Sequence, residues 1–273
     1  MSEPLRLWSA TTLISTALGT SKPLVEWNVG TACETAYDKI NTLKAFHEDG
    51  DRDGAIKWLK DSRWTRTKEA AARGTDVHNA AEKLALGEAI EVEPHIEPYV
   101  NQYRRFLEDF QPEFLMAEAP VYNLTAGFAG TLDAVAVIQG QRVVVDLKTT
   151  PHGPNATTDS GRPKSRPPYA EVALQLTLYR NAELVGLLAE RHEVNYRRYY
   201  VLNPDAHTEP MPETDGGVCV VVSPEDYLVV PVDTSERIWK ACRHMIEVAR
   251  FQAETSRTVF GPPASPTKEE VAA

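Results

Sequence analysis

A chain of 273 residues allows one large domain or two small ones, and 42 % hydrophobic with 25 % charged residues leaves room for a sizeable core. The net charge of −10 argues mildly against a nucleic-acid partner, no apolar run approaches the ~18 residues of a membrane span, and the N-terminus lacks the apolar stretch of a signal peptide. A cytoplasmic protein is therefore expected, and Cys33, Cys219 and Cys242, scattered as they are, read as reduced thiols without zinc spacing.

Residues 1–22 read as a polar segment with a short apolar stretch from Thr12 to Leu18. Pro23 opens a predicted helix from Leu24 to Phe46, with Val25, Val29, Cys33, Ala36, Ile40 and Leu43 as its core face. An acidic, glycine-bearing loop spans 47–54. It lacks the closing glutamate of a calcium loop. A short helix over 54–60 and a longer one from Thr65 to Leu86 follow, the second either broken at Gly74 or left bare there so that something can approach. His78 and Glu82, four apart, share a helical face, where a neutral imidazole can ligate a metal or hold its bound water. From Lys57 to Arg73 six basic residues stand against two acids. That local excess and a second cluster, Arg162, Lys164 and Arg166, suit phosphate contacts despite the overall charge.

Pro94 starts an amphipathic helix to Phe110, buried along Ile96, Tyr99, Val100, Tyr103, Phe106, Leu107 and Phe110. Phe114 to Tyr122 reads as a strand carrying Glu118. Then comes GTLDAVAVIQGQRVVVDLKTT, Gly130 to Thr150, two strands around a tight turn. Asp146 and Lys148 share one face of the second strand, with Val144 beneath them and Leu147 opposite. A two-residue Gln139-Gly140 loop pairs Ile138 with Gln141 and sets Asp133 against Asp146. A three-residue loop sets Asp133 against Leu147. Opposed carboxylates repel unless one is protonated or a cation lies between them, and an all-oxygen pair suits Mg²⁺ or Mn²⁺. A lone D-x-K is as readily an exposed ion pair, but the apolar flanks on both faces place this one in a covered sheet.

Residues 151–168 are rich in Pro, Gly, Ser and Thr and read as a flexible insert, either disordered or a flap with a basic tip. Tyr169 to Leu188 is predicted helical, with Glu171, Gln175 and Tyr179 in a polar row at four-residue steps. Strands are expected over Val194–Leu202, Gly217–Ser223 and Tyr227–Val232. A closing helix over Ser235–Thr255 comes next, and 261–273 form a disordered tail.

G-T-D-V-H at Gly74 to His78, G-T-L-D at Gly130 to Asp133, D-L-K at Asp146 to Lys148 and Q-L-T-L-Y at Gln175 to Tyr179 stand in one order over about residues 70–185. Together they resemble the RecB-like branch of the PD-(D/E)XK nuclease superfamily, near the phage-type exonucleases related to the CRISPR-adaptation nucleases. The resemblance implies a restriction-endonuclease-like α/β core, a mixed central sheet flanked by helices, with an N-terminal helical region. The single domain would run over 1–260, with helices in 1–65, the catalytic core in 66–190 and strands plus a helix in 191–260. It implies a metal-dependent DNA nuclease acting on ends, with Asp133, Asp146 and Lys148 catalytic and Mg²⁺ or Mn²⁺ held by His78, Asp133, Asp146 and the Leu147 carbonyl. Gln175 and Tyr179 would bind substrate, with Glu82, Glu118 and Glu171 behind them. DNA is the implied partner, and a homo-oligomer or a recombination protein a further one. The iron–sulfur cluster of the CRISPR-adaptation members needs four thiolates, which three cysteines cannot supply. The competing reading is a catalytically silent DNA-binding or assembly module.

Overall fold

In a computed structural model of the chain, the described residues are 6–19, 22–157, 161, 168–186, 189–194, 197–202 and 207–263. Side chains are described for most of these, but not for 22–24, 63, 65–67, 69, 189–199 or 202. The elements run β1 (Arg6–Ser9), α1 (Ala10–Leu18), α2 (Lys22–Asp38), α3 (Ile40–Glu48), α4 (Arg52–Ala85), α5 (Glu97–Phe110), β2 (Glu113–Asn123), β3 (Phe128–Ile138) and β4 (Gln141–Thr149). They continue with α6 (Ala170–Arg180), β5 (Leu184–Gly186), β6 (Ala189–Val194), β7 (Arg197–Leu202), β8 (Thr208–Pro210), β9 (Gly216–Val222), β10 (Tyr227–Val232) and α7 (Glu236–Arg250), which a π-helical turn extends through Phe251–Thr255.

The strands form one mixed sheet along the path β10-β9-β4-β3-β1-β7-β6, with β2 on the other edge of β3 and β5 and β8 beyond it. One face packs on α4 and α5 through Val77, Tyr99, Tyr103, Phe106, Ala134, Val145 and Val220. The other packs on α1, α6 and α7 through Leu13, Leu132, Val144, Leu176, Cys219 and Ile246. The chain is thus α/β, a mixed central sheet with helices on both sides.

β3 is the strand around which the site forms. Along one edge it pairs antiparallel with β4 from Ala134 to Ile138, and with β1 in parallel at Phe128 and Ala129. Between these stretches, Gly130 to Asp133 pair with neither strand on that edge, so the sheet forks at the G-T-L-D segment. The turn that sets the register has positive φ at both Gln139 and Gly140, as a type I′ loop requires, and pairs Ile138 with Gln141. This is the two-residue alternative.

Several expectations from sequence need correction. The polar segment before Ala10 contains β1, whose Leu7 is fully buried between β3 and β7; four residues are too few to show alternation. The long helix over 24–46 is two helices, broken at Lys39. Its proposed core face is largely exposed (Val25 46 %, Val29 58 %, Ile40 47 %), because the helices that α2 packs on are α3 and α4. The helix predicted from 169 to 188 stops at Arg180. There the Asn123 amide donates to the Asn181 carbonyl and Glu183 N–H to the Tyr122 carbonyl, which draws Leu184 onto the edge of β2 as β5. Of the insert, 158–160 and 162–167 lie outside the described residues, as do 264–273 of the tail.

The two helices expected over 54–86 are one. Asp51 starts it by accepting the Gly54 N–H at 2.8 Å, and it runs unbroken through Gly74. What approaches Gly74 is Thr149 at the end of β4. A Cβ there would meet only its Oγ1, at 3.8 Å, an ordinary contact. Gly74→Ala should therefore stabilise the fold by up to about 1 kcal/mol, read as a higher urea midpoint at unchanged slope.

Candidate metal centre

Three adjacent strands bring three acids into a row. In the β2–β3 register Ala117 faces Ala134 and Ala119 faces Leu132, so Glu118 stands across from Asp133. The β3–β4 ladder ends at Ala134 and Val145, one step short of Asp133 and Asp146. Asp146 in turn pairs with Cys219 of β9. Directly opposed side chains have Cβ atoms about 5 Å apart. Glu118, Asp133, Asp146 and Cys219 thus cross the sheet on four neighbouring strands.

The row is not a plain ladder. Glu118 has φ +43, a left-handed conformation rare for a residue with a Cβ, one turn of the pleat after an irregularity between Phe114 and Met116. Asp133 uses its side chain where β3 and β4 part: Oδ2 accepts the Leu147 N–H at 2.7 Å. His78, from α4 above, closes the group, with Nδ1 3.5 Å from Asp133 Oδ1 and 3.7 Å from Glu118 Oε1. One ligand atom from each of His78, Glu118 and Asp133 lies within 4.8 Å of the others. They border a cavity of about 20 Å³, lined also by Glu82, Tyr103 and Leu147, which is room for a water or one ion.

Asp146 and the Leu147 carbonyl, expected as ligands, are not in that group. Asp146 is 1 % exposed and points to the other face of β4, where Oδ1 accepts from Lys148 Nζ at 2.6 Å and Oδ2 from the Cys219 thiol at 3.8 Å. Leu147 meets the group through its N–H. Tyr179 is 4 % exposed and packs against Gly130 below Asp133; the Gln175 amide approaches its hydroxyl at 3.5 Å. Glu171 lies half-buried in the first turn of α6. Sequence reasoning kept Glu118 behind the ligands and took Tyr103 and Cys219 as structural. A glutamate inside an apolar strand was the available signal for the first, but its left-handed φ has none.

The electrostatics follow from burial and pairing. Burial alone would lower the His78 pKa, yet Asp133 and Glu118 outweigh it and raise it to about 10. Burial would raise Asp133, and His78, Lys148 and the Leu147 N–H together hold it below the usual carboxylate range. At Asp146 burial wins over Lys148 and pushes the carboxyl up. Burial would lower Lys148, but Asp146 and Asp133 raise it above the ordinary lysine value; with 38 % of its side chain accessible, solvent screens part of this. Burial lifts Tyr103 and Tyr179, and the Asp133 charge adds to both.

Gly130 is required by the close approach of Tyr179. A Cβ there would lie 2.5 Å from Tyr179 Cε1, and the ring, held in the core, has nowhere to go. Gly130→Ala should cost about 1–3 kcal/mol of stability in urea unfolding. Gly130→Ala combined with Tyr179→Leu should recover part of that loss.

The basic segment of α4 divides. Arg73 lies over the Tyr99 ring, 5.5 Å from its centroid, on the side of the helix that packs on α5. Lys57, Lys60 and Lys68 are exposed. The side chains of Arg63 and Arg66, and residues Arg162, Lys164 and Arg166, fall outside what is described.

No family model matches the chain, and no curated protein matches it either. No helix among the described residues is long and apolar enough to cross a membrane.

Proposed function

We propose that the protein is a metal-dependent DNA nuclease with a restriction-endonuclease-like core, acting on phosphodiesters at DNA ends in the cytoplasm. The observation that carries this reading is the convergence of His78, Glu118 and Asp133 from α4, β2 and β3 at the fork of the sheet, beside the Asp146–Lys148 pair. An imidazole with two carboxylates fits a divalent ion. The nitrogen donor favours Mn²⁺ over Mg²⁺, which prefers oxygen alone. His78, Glu118 and Asp133 would hold the ion, His78 releasing to solvent the proton that the two carboxylates hold on it, and the bound ion would polarise a phosphoryl oxygen and offset its growing charge.

The chain's own groups do the rest. Leu147 N–H fixes the Asp133 carboxylate, so that side chain is set before anything binds. Cys219 and Lys148 likewise fix Asp146. Lys148 has three donors and spends one on Asp146. The others can orient a water or a phosphate oxygen at the open side of the strand. Tyr179 packs against β3 at Gly130, and Glu82 and Tyr103 line the cavity.

The test is incubation of labelled linear, nicked and circular DNA with Mn²⁺, Mg²⁺ or chelator. Metal-dependent loss of linear DNA is expected. No metal-dependent cleavage of any DNA would overturn the reading and leave the binding module.

A further inference from the structure

Tyr103 stands on the buried stripe of α5, and its ring packs on Phe106 at a centroid distance of 5.6 Å. As packing alone a phenylalanine would do the same, as it does at positions 106 and 110. The hydroxyl sets Tyr103 apart. The residue is 5 % exposed, and burial and the Asp133 charge both push its pKa up. Among the described residues no group makes a hydrogen bond with that hydroxyl. A phenol buried in this way destabilises the fold unless something meets its polar end.

What meets it lies in the cavity at the metal centre, where Tyr103 forms the wall from α5. Ala81, Ala85, Ala117, Ala134 and Val145 give that space apolar walls. The polar side chains around it are His78, Glu82, Glu118, Asp133 and Tyr103. Three of these are acids, which only accept when ionised. His78 Nδ1 is already engaged, 3.5 Å from Asp133 and 3.7 Å from Glu118. The Tyr103 hydroxyl is thus the uncommitted side-chain donor of the wall. About 20 Å³ holds one water, and this one would have the two to four polar partners that buried waters keep. Of the three acids, Asp133 is the one whose charge acts on the Tyr103 phenol.

We propose that Tyr103 is a positioning residue of the metal centre: its hydroxyl donates to a water in the cavity, and that water donates to Asp133 and holds the carboxylate for the ion. The water takes the cavity, and the ion takes the space between the three ligand atoms that border it. The inference rests on the metal centre of the nuclease reading and adds a residue to it. Asp133 Oδ2 accepts the Leu147 N–H at 2.7 Å, and Oδ1 faces His78. Each carboxylate oxygen can accept twice, so the water adds a bond and displaces neither contact. Leu147 then fixes Asp133 from β4, and Tyr103, through the water, fixes it from α5. Two anchors on different elements leave the carboxylate less freedom to lose when the ion binds. Tyr103 touches neither the ion nor the substrate, and acts through Asp133.

The test is Mn²⁺ binding to the full chain without DNA, followed by the EPR signal of the free ion, for wild type, Tyr103→Phe and Tyr99→Phe, each beside a urea melt. Tyr103→Phe should weaken Mn²⁺ binding about tenfold, as loss of a group that supports a metal ligand does. Its urea midpoint should stay at or above wild type, because the ring is kept. Tyr99→Phe removes a hydroxyl from the same stripe but away from the cavity, and should bind Mn²⁺ as wild type does. At saturating Mn²⁺, DNA cleavage by Tyr103→Phe should return to near the wild-type rate. A crystal structure of the wild type should show a water within about 3 Å of both the Tyr103 hydroxyl and the Asp133 carboxylate. Should Tyr103→Phe melt early, that crystal alone decides. A wild type that binds Mn²⁺ while Tyr103→Phe binds it equally well, or a wild-type crystal without that water, would overturn the role of Tyr103 and leave the metal centre. A wild type that binds no Mn²⁺ would overturn both. The expected loss in Tyr103→Phe, in a protein that cleaves no DNA, would uphold Tyr103 and overturn the nuclease.

Discussion

Asp133→Asn should cut metal-dependent DNA cleavage about a thousandfold, the rate equivalent of roughly 4 kcal/mol, while the protein stays folded. The asparagine carbonyl can still accept the Leu147 N–H, so the seam between β3 and β4 survives. What goes is the negative charge that faces His78 at 3.5 Å and stands across the strand from Glu118. A neutral amide there is a weak ligand for a hard cation. The measurement is single-turnover cleavage of end-labelled DNA in Mn²⁺ beside a urea melt of the same preparation. Loss of cleavage with the melt preserved is the expected pair of results. A variant that cuts like wild type would remove Asp133 from the reaction.

Lys148→Met should destabilise the fold by about 2 kcal/mol at neutral pH. Removing one partner of a fully buried ion pair costs roughly 3–5 kcal/mol; the lower figure applies because Lys148 keeps 38 % of its side chain accessible. The methionine fills the same stem but strands Asp146, 1 % exposed, with only the Cys219 thiol beside it. The sign with pH is fixed by Asp146. Its carboxyl is already raised by burial and rises further without the ammonium, so the folded state penalises the charged form. Stability is retained at low pH, where Asp146 is protonated folded and unfolded alike, and is lost as pH climbs past the ordinary carboxylate value. The deficit of the variant should therefore shrink as pH falls, and Asp146→Asn in the same chain should recover most of it. Urea melts from pH 4 to 8 on the four members of the cycle check this. A deficit independent of pH would mean that lost packing, not charge, is responsible.

The α/β class and the central hairpin were legible because strong local signals agreed: β-branched runs on both faces of β3 and β4, a Gln-Gly turn, and a heptad-like apolar stripe on α5. The two-residue turn and the Ile138–Gln141 pairing followed from the loop length, but the ladder stops at Ala134 and Val145, so the expected facing of Asp133 on Asp146 is not made. The grouping of side chains at the fork was only half legible. His78 and Asp133 stand together as expected, but the side chain that joins them is Glu118, because two long-range facts decide it: the register of β2 on β3 and the left-handed backbone at 118. Alternation places Asp146 and Lys148 on the α6 face, and no local rule says that Asp133, at the fork, turns its carboxylate toward α4. The N-terminal helices misled for a related reason. Val25, Val29 and Ile40 have the period of a core face, yet periodicity does not say what a helix packs against. α2 found α3 and α4 and left much of its apolar stripe in solvent.

The central claim is that His78, Glu118 and Asp133 together hold a divalent ion. Diffraction from crystals soaked in Mn²⁺, recorded for anomalous signal, tests it most directly. The account predicts a peak within about 2.5 Å of the His78 imidazole and of the Glu118 and Asp133 carboxylates, lost in Asp133→Asn. A peak elsewhere, or none at saturating Mn²⁺ with these three side chains unchanged, would contradict it.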